Sequence, residues 1–183
     1  MELDKLDERI RRDCQPYLAL LHDGASPLYR GAPASAEVVS EWLVRRDRKP
    51  RSMPIELHEA ADQWFSRNFG VRFRSAGFFC TGDPKQAEGF GAVYQVFPIG
   101  GFQFCWSPNV RDLHEFSAEN DYLRRPSNEL VEALDRLNYR EEDFGKATAS
   151  GCEIMIACGR YYALAVRASH ARNGEAKSLE ANQ

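Results

Sequence analysis

The chain has 183 residues, 43% of them hydrophobic and 28% charged, with a formal net charge of -3 at pH 7. That is the length and composition of one ordinary globular domain, and its slight acidity gives no overall attraction to nucleic acid or to an anionic membrane. The opening, Met1 to Arg9, is charged where a secretory signal is apolar, and no apolar run approaches the roughly 18 residues of a membrane span; a cytoplasmic protein with no membrane partner is expected.

Leu3, Leu6, Ile10, Tyr17, Leu18 and Leu21 recur at helical spacing, which predicts an amphipathic helix over residues 3 to 21. Ser26 to Gly31 reads as a short strand, followed by a second helix with Val38, Val39, Trp42 and Leu43 on its inner face. Arg45-Arg46-Asp47-Arg48-Lys49-Pro50-Arg51 is a dense charge run, read as an exposed loop because Pro50 and Pro54 prevent a continuing helix. Most such runs are solvated, yet the cluster Arg45, Arg46, Arg48 and Arg51 also suits acceptor or phosphate contacts.

Residues 54 to 69 read as a helix stopped by Gly70, with His58 on it as a structural residue. From Val71 the pattern turns to strands: Val71 to Arg74, Gly77 to Asp83, Ala92 to Ile99 and Phe102 to Ser107, with a short helix from Pro84 to Phe90. Residues 108 to 126 show no clear period, Ser127 begins a helix, and two strands around Glu153 and Tyr161 close the domain. The expectation is one domain over residues 1–169 and a disordered tail over 170–183.

Glu153 stands alone in the apolar run from Cys152 to Cys158. Burying an unpaired carboxylate costs several kcal/mol, so the residue needs either a cationic partner or a chemical task. A lone acid opening a strand can hold a carboxylate at the rim of a cleft, although strands also commonly begin on a wet acidic residue.

The five cysteines, at 14, 80, 105, 152 and 158, form no CxxC pair and read as reduced, buried small hydrophobes. No P-loop, GxGxxG fingerprint, HExxH pair or EF-hand loop occurs, so neither a metal nor a Rossmann-type site is expected.

Leu28-Tyr29-Arg30-Gly31, Phe79-Cys80-Thr81-Gly82 and Glu153-Ile154-Met155-Ile156 follow one another in an order that resembles the mono-ADP-ribosyltransferase family. In that family a first-strand arginine, a Ser/Thr-bearing strand end and a glutamate on a late strand converge on NAD. The resemblance spans residues 28 to 166 in short, degenerate pieces. It implies an α+β fold, with N-terminal helices packed on a split, mostly antiparallel β core that holds an NAD cleft.

It also implies transfer of ADP-ribose from NAD to a macromolecular acceptor, most plausibly a protein, with release of nicotinamide. Glu153 would be the catalytic carboxylate, and Arg30, Gly31, Thr81, Gly82, Phe90 and Tyr94 the NAD-binding set. Arg30 would grip the pyrophosphate, Thr81 orient the ribose or Glu153, and Phe90 or Tyr94 stack on nicotinamide. The sequence departs from the family at Gly151, where many members carry Glu or Gln, and at Cys80-Thr81-Gly82 in place of Ser-Thr-Ser.

Each of these residues has a structural alternative. Arg30 can pair with a core acid, Thr81-Gly82-Asp83 can cap the next helix, and Phe90 and Tyr94 can be core residues. The alternative functions are a non-catalytic binding or virion component on the same scaffold, and a nucleic-acid binder or modifier acting through the basic loop 45–51. The acidic net charge and the lack of interleaved aromatic residues weigh against nucleic acid.

Overall fold

The computed structural model describes residues 7–166 as an α+β unit with antiparallel sheets. The expected N-terminal helix is two helices, α1 (Glu8–Asp13) and α2 (Gln15–His22), meeting at Cys14 with φ -112° and ψ 26°. Pro16 explains the break: it has no N–H to give a carbonyl one turn back in α1 and its ring crowds that carbonyl, so it is accommodated only in the first turn of a new helix. Leu3 and Leu6, like the expected tail over 170–183, lie outside the described residues.

The strands are β1 (Leu28–Ala32), β2 (Val39–Leu43), β3 (Phe78–Cys80), β4 (Ala92–Pro98), β5 (Gln103–Trp106), β6 (Ile154–Ala157) and β7 (Arg160–Ala165). They form a four-stranded sheet ordered β1-β4-β7-β2 and a three-stranded sheet ordered β3-β6-β5, with every pairing antiparallel. Between β1 and β3 there is one isolated bridge, Tyr29 to Thr81, so the two sheets touch at a point and are otherwise separate. Consecutive strands cross between sheets: β4 lies in the larger and β5 in the smaller, and likewise β7 and β6.

Residues 39 to 43 form a strand, not the expected second helix. Val39, Trp42 and Leu43 suit a pleated edge, and β2 pairs along β7 with Leu43 left 78% exposed.

The segment read as a strand over Val71 to Arg74 is instead the start of a short helix, α4 (Phe73–Ala76). The cause is tertiary. Asp62, on helix α3 (Ile55–Phe69), is fully buried, and its Oδ1 accepts the Arg74 and Ser75 backbone N–H groups at 2.9 and 3.3 Å. Gly70 ends α3 in the left-handed region at φ 74°, as a helix-terminating glycine does.

The remaining helices are α5 (Pro84–Glu88), α6 (Leu113–Glu119), α7 (Ser127–Leu134) and α8 (Phe144–Ala149). Helix α6 lies in the stretch that showed no period; Asp112 caps it by accepting the His114 and Glu115 N–H groups at 2.7 and 3.0 Å.

Side-chain alternation divides the small sheet between two cores. Phe78, Cys80, Trp106, Ile154 and Ile156 join the core between the sheets, together with α1 and α2. Phe79, Cys105 and Met155 join the second core, against α3, α4, α6 and α7. The site depends on this two-faced sheet.

Candidate functional site

Glu153 immediately precedes β6, and its N–H donates to the Arg111 carbonyl at 2.7 Å, which ties the start of the strand to the loop before α6. By alternation its side chain shares the Met155 face. There it meets Arg74: Nη1 donates to Oε1 at 3.1 Å, with side chains 7% and 10% exposed respectively. Burial pushes the Glu153 carboxyl up to about 7; the Arg74 charge opposes that rise, Asp112 adds to it, and Arg48 opposes it more weakly.

Arg48 also lies here. Its guanidinium carbon is 3.8 Å from the centroid of the Phe79 ring, over which Arg74 lies at 4.5 Å. Burial lowers the Arg48 guanidinium to about 10, and the charges of Arg74 and Arg30 lower it further. Its backbone N–H donates to the Ser75 carbonyl at 3.0 Å, which fastens the basic loop to α4. The loop is therefore not uniformly exposed: Arg45, Arg46 and Arg51 are exposed, whereas Arg48 is turned in.

Arg30 is half-buried on β1 and lies over Phe78 at 5.5 Å and Tyr161 at 6.0 Å, on the inter-sheet face. Among the described residues it has no carboxylate partner. Arg30 and Glu153 thus belong to opposite faces of the small sheet, and the guanidinium groups brought to Glu153 are those of Arg74 and Arg48.

Thr81 is buried where β3 meets β1. Its hydroxyl donates to Gln86 Oε1 at 3.0 Å and accepts the Asp83 N–H at 3.1 Å, while the Asp83 carboxylate caps α5. The hydroxyl thus serves the turn into α5, and the Glu153 carboxylate is held by Arg74 instead.

Gly31 and Gly82 mark close backbone approaches. A Cβ on Gly31 would stand 2.1 Å from the Ala87 carbonyl oxygen, and one on Gly82 would stand 1.7 Å from that of Thr148. Gly151 has φ 70°, so the position where the family often carries Glu or Gln has a backbone that favours glycine.

The two aromatic residues expected at nicotinamide part company. Tyr94 is 1% exposed, packs on Trp42 and has its hydroxyl bonded to the Ser35 N–H and the Pro33 carbonyl, so it is a core residue. Phe90 is 66% exposed and free to meet a ligand.

A cleft of about 450 Å³ ends one residue short of Glu153: it is lined by Asp83, Pro108, Asn109, Arg111, Ser150, Gly151 and Cys152, while the Glu153 side chain turns to Arg74. It is built where β3 and β5 end and β6 begins. Among the described residues no group of three or more His, Cys, Asp or Glu side chains could hold a metal ion, and no helix is long and apolar enough to cross a membrane.

The geometry defines an α+β protein in which a nearly buried carboxylate is paired with an arginine, one residue beyond the wall of a strand-end cleft. Comparison of the chain with protein-family models, with curated proteins and with solved structures found no match.

Proposed function

We propose that this protein transfers ADP-ribose from NAD to a macromolecular acceptor, a protein, with Glu153 as the carboxylate that faces the ribose. The observation that carries the reading is the placement of Glu153. It stands between the cleft residues Gly151-Cys152, which precede it in the chain, and strand β6, with its N–H on the carbonyl of the cleft residue Arg111 and its carboxylate on Arg74. One fixed carboxylate suits a substrate that carries a sugar on which positive charge develops.

When the bond between the ribose C1′ and nicotinamide breaks, the bonding pair goes to the nicotinamide nitrogen and the ribose gains oxocarbenium character. A carboxylate at the 2′-hydroxyl stabilises that charge; the acceptor nucleophile then bonds C1′ and loses its proton. Arg74 keeps Glu153 partly ionised near neutral pH against the cost of its burial. Arg30, on the inter-sheet face over Phe78, lies across the small sheet from the Glu153 carboxylate and takes no part in this reading, whereas exposed Phe90 is available to the nicotinamide ring.

Titration of the protein with NAD, with nicotinamide release followed in a cell extract that supplies acceptors, tests this reading. Saturable binding and protein-dependent release support it; no binding at millimolar NAD and no release refute it.

The same ion pair favours a second reading. Glu153 and Arg74 are both nearly buried, and a structural pair needs no substrate, so the scaffold would be a binding protein without NAD turnover.

A further inference from the structure

We propose that Arg48 and Arg74, over the Phe79 ring, form an oxyanion site for the phosphate group of a small diphosphate, and that the bound anion competes with Glu153 for Arg74. The site lies on the α4 side of β3, across the strand from Arg30. It requires an oxyanion and no glycosidic chemistry, so it stands or falls apart from the transfer reaction.

Three observations carry the inference. Arg48 is half-buried and stacked on Phe79, yet its guanidinium has no hydrogen-bond or carboxylate partner among the described residues. Arg74 is buried; one nitrogen binds Glu153, while its Nε has no partner, and His58 Nε2 on α3 is likewise buried and unpaired. The nearby acids do not balance these charges: Asp62 is taken up by Arg72 and by the α4 backbone, which leaves Glu153 alone against two guanidiniums.

Desolvated cations short of counter-charge form a ready anion site, and planar guanidiniums fixed on an aromatic ring suit phosphate oxygens with little further loss of freedom. The charges of Arg74 and Arg30, added to burial, hold Arg48 below its ordinary range, as expected of a cation lacking its counterion. A phosphate bound to Arg48 and to the unpartnered Nε of Arg74 would bring a second anion to the guanidinium that already holds the Glu153 carboxylate, and the two like charges oppose each other.

Isothermal titration with inorganic pyrophosphate tests the site. The wild-type chain binds saturably; Arg48→Met, which keeps an apolar stem on Phe79 and strands no carboxylate, loses about tenfold or more in affinity with its melting temperature unchanged. Arg46→Met, which removes an exposed charge from the same loop, binds as wild type. Glu153→Gln, which withdraws the competing charge, binds severalfold more tightly.

No pyrophosphate binding by the wild type, equal losses in the Arg48 and Arg46 variants, or weaker binding by Glu153→Gln overturns the proposal. If Glu153→Gln does not fold, the comparison of Arg48 with Arg46 decides alone. Titration with ADP identifies the source of the phosphate: tighter binding than pyrophosphate marks a nucleotide, equal binding the free anion. Pyrophosphate binding without NAD turnover leaves this site standing and removes only the transfer chemistry, whereas turnover without pyrophosphate binding does the reverse.

Discussion

Arg74 Nη1 donates to Glu153 Oε1 at 3.1 Å, from a side chain 7% exposed to one 10% exposed, across 79 positions of sequence. Even with this partner, the Glu153 carboxyl is raised to about 7, so the cost of desolvating the charge outweighs the attraction that Arg74 supplies. The Glu153 carboxyl is thus held close to neutral pH by its burial.

This poise has a thermodynamic consequence. The folded-state pKa of Glu153 lies above its unfolded value of 4.5, so its contribution to stability is fully present below about 4.5 and is lost as pH rises through about 7. Buried His58, lowered by desolvation, has the opposite slope. The difference in melting temperature between wild type and Glu153→Gln isolates the acid: it should shift in favour of the variant between pH 4.5 and 7 and then level off. A pH-independent difference would show that Glu153 is ionised throughout.

Asp62 should be the acid on which the site's geometry depends. Asp62→Ala leaves the Arg74 and Ser75 N–H groups and the Ser75 hydroxyl without their buried acceptor. At about 1–3 kcal/mol for each stranded buried donor, a loss of about 3 kcal/mol or more is expected by denaturant unfolding. A loss below about 1 kcal/mol would mean that α4 holds itself.

Gly82→Ala places a methyl group 1.7 Å from the Thr148 carbonyl oxygen, a backbone atom that cannot turn away. Overpacking of this kind costs about 1–3 kcal/mol, and here it also forces α8 off the end of β3. Gly151→Ala meets no atom within 4 Å but needs φ 70°, so its cost is conformational and about 1 kcal/mol. Melting curves of the two variants should therefore rank Gly82→Ala as the more damaging.

Much of the fold was legible where periodicity and punctuation agreed. Helix α3 has a repeating apolar face and Gly70 as its stop, and Phe102, Phe104 and Trp106 alternate through β5. Strand β2 escapes a local reading because Val38, Val39, Trp42 and Leu43 also fit helical spacing, and its partner β7 lies about 120 residues further on, beyond local pattern. Helix α4 has no local signal either: a carboxylate from α3 captures its N–H groups.

For the site, Glu153 stood out as a lone acid in an apolar run, but nothing in the spacing tied it to Arg74. Arg48 was visible only as one of several arginines in a charge run; its inward turn onto Phe79 is a tertiary fact. Tyr94 is a core aromatic because β4, between β1 and β7, is buried along most of its length.

The most direct measurement is transfer of label from adenylate-labelled NAD, made on wild type and Glu153→Gln side by side with their melting curves. Gln keeps the size and an acceptor for Arg74 while removing the charge. The expected result is a fall in transfer of roughly a hundredfold or more with NAD affinity and fold retained, the scale of losing one electrostatic group that stabilises a transition state. Equal transfer by the two proteins, or none by the wild type in the presence of acceptor, would contradict a catalytic Glu153.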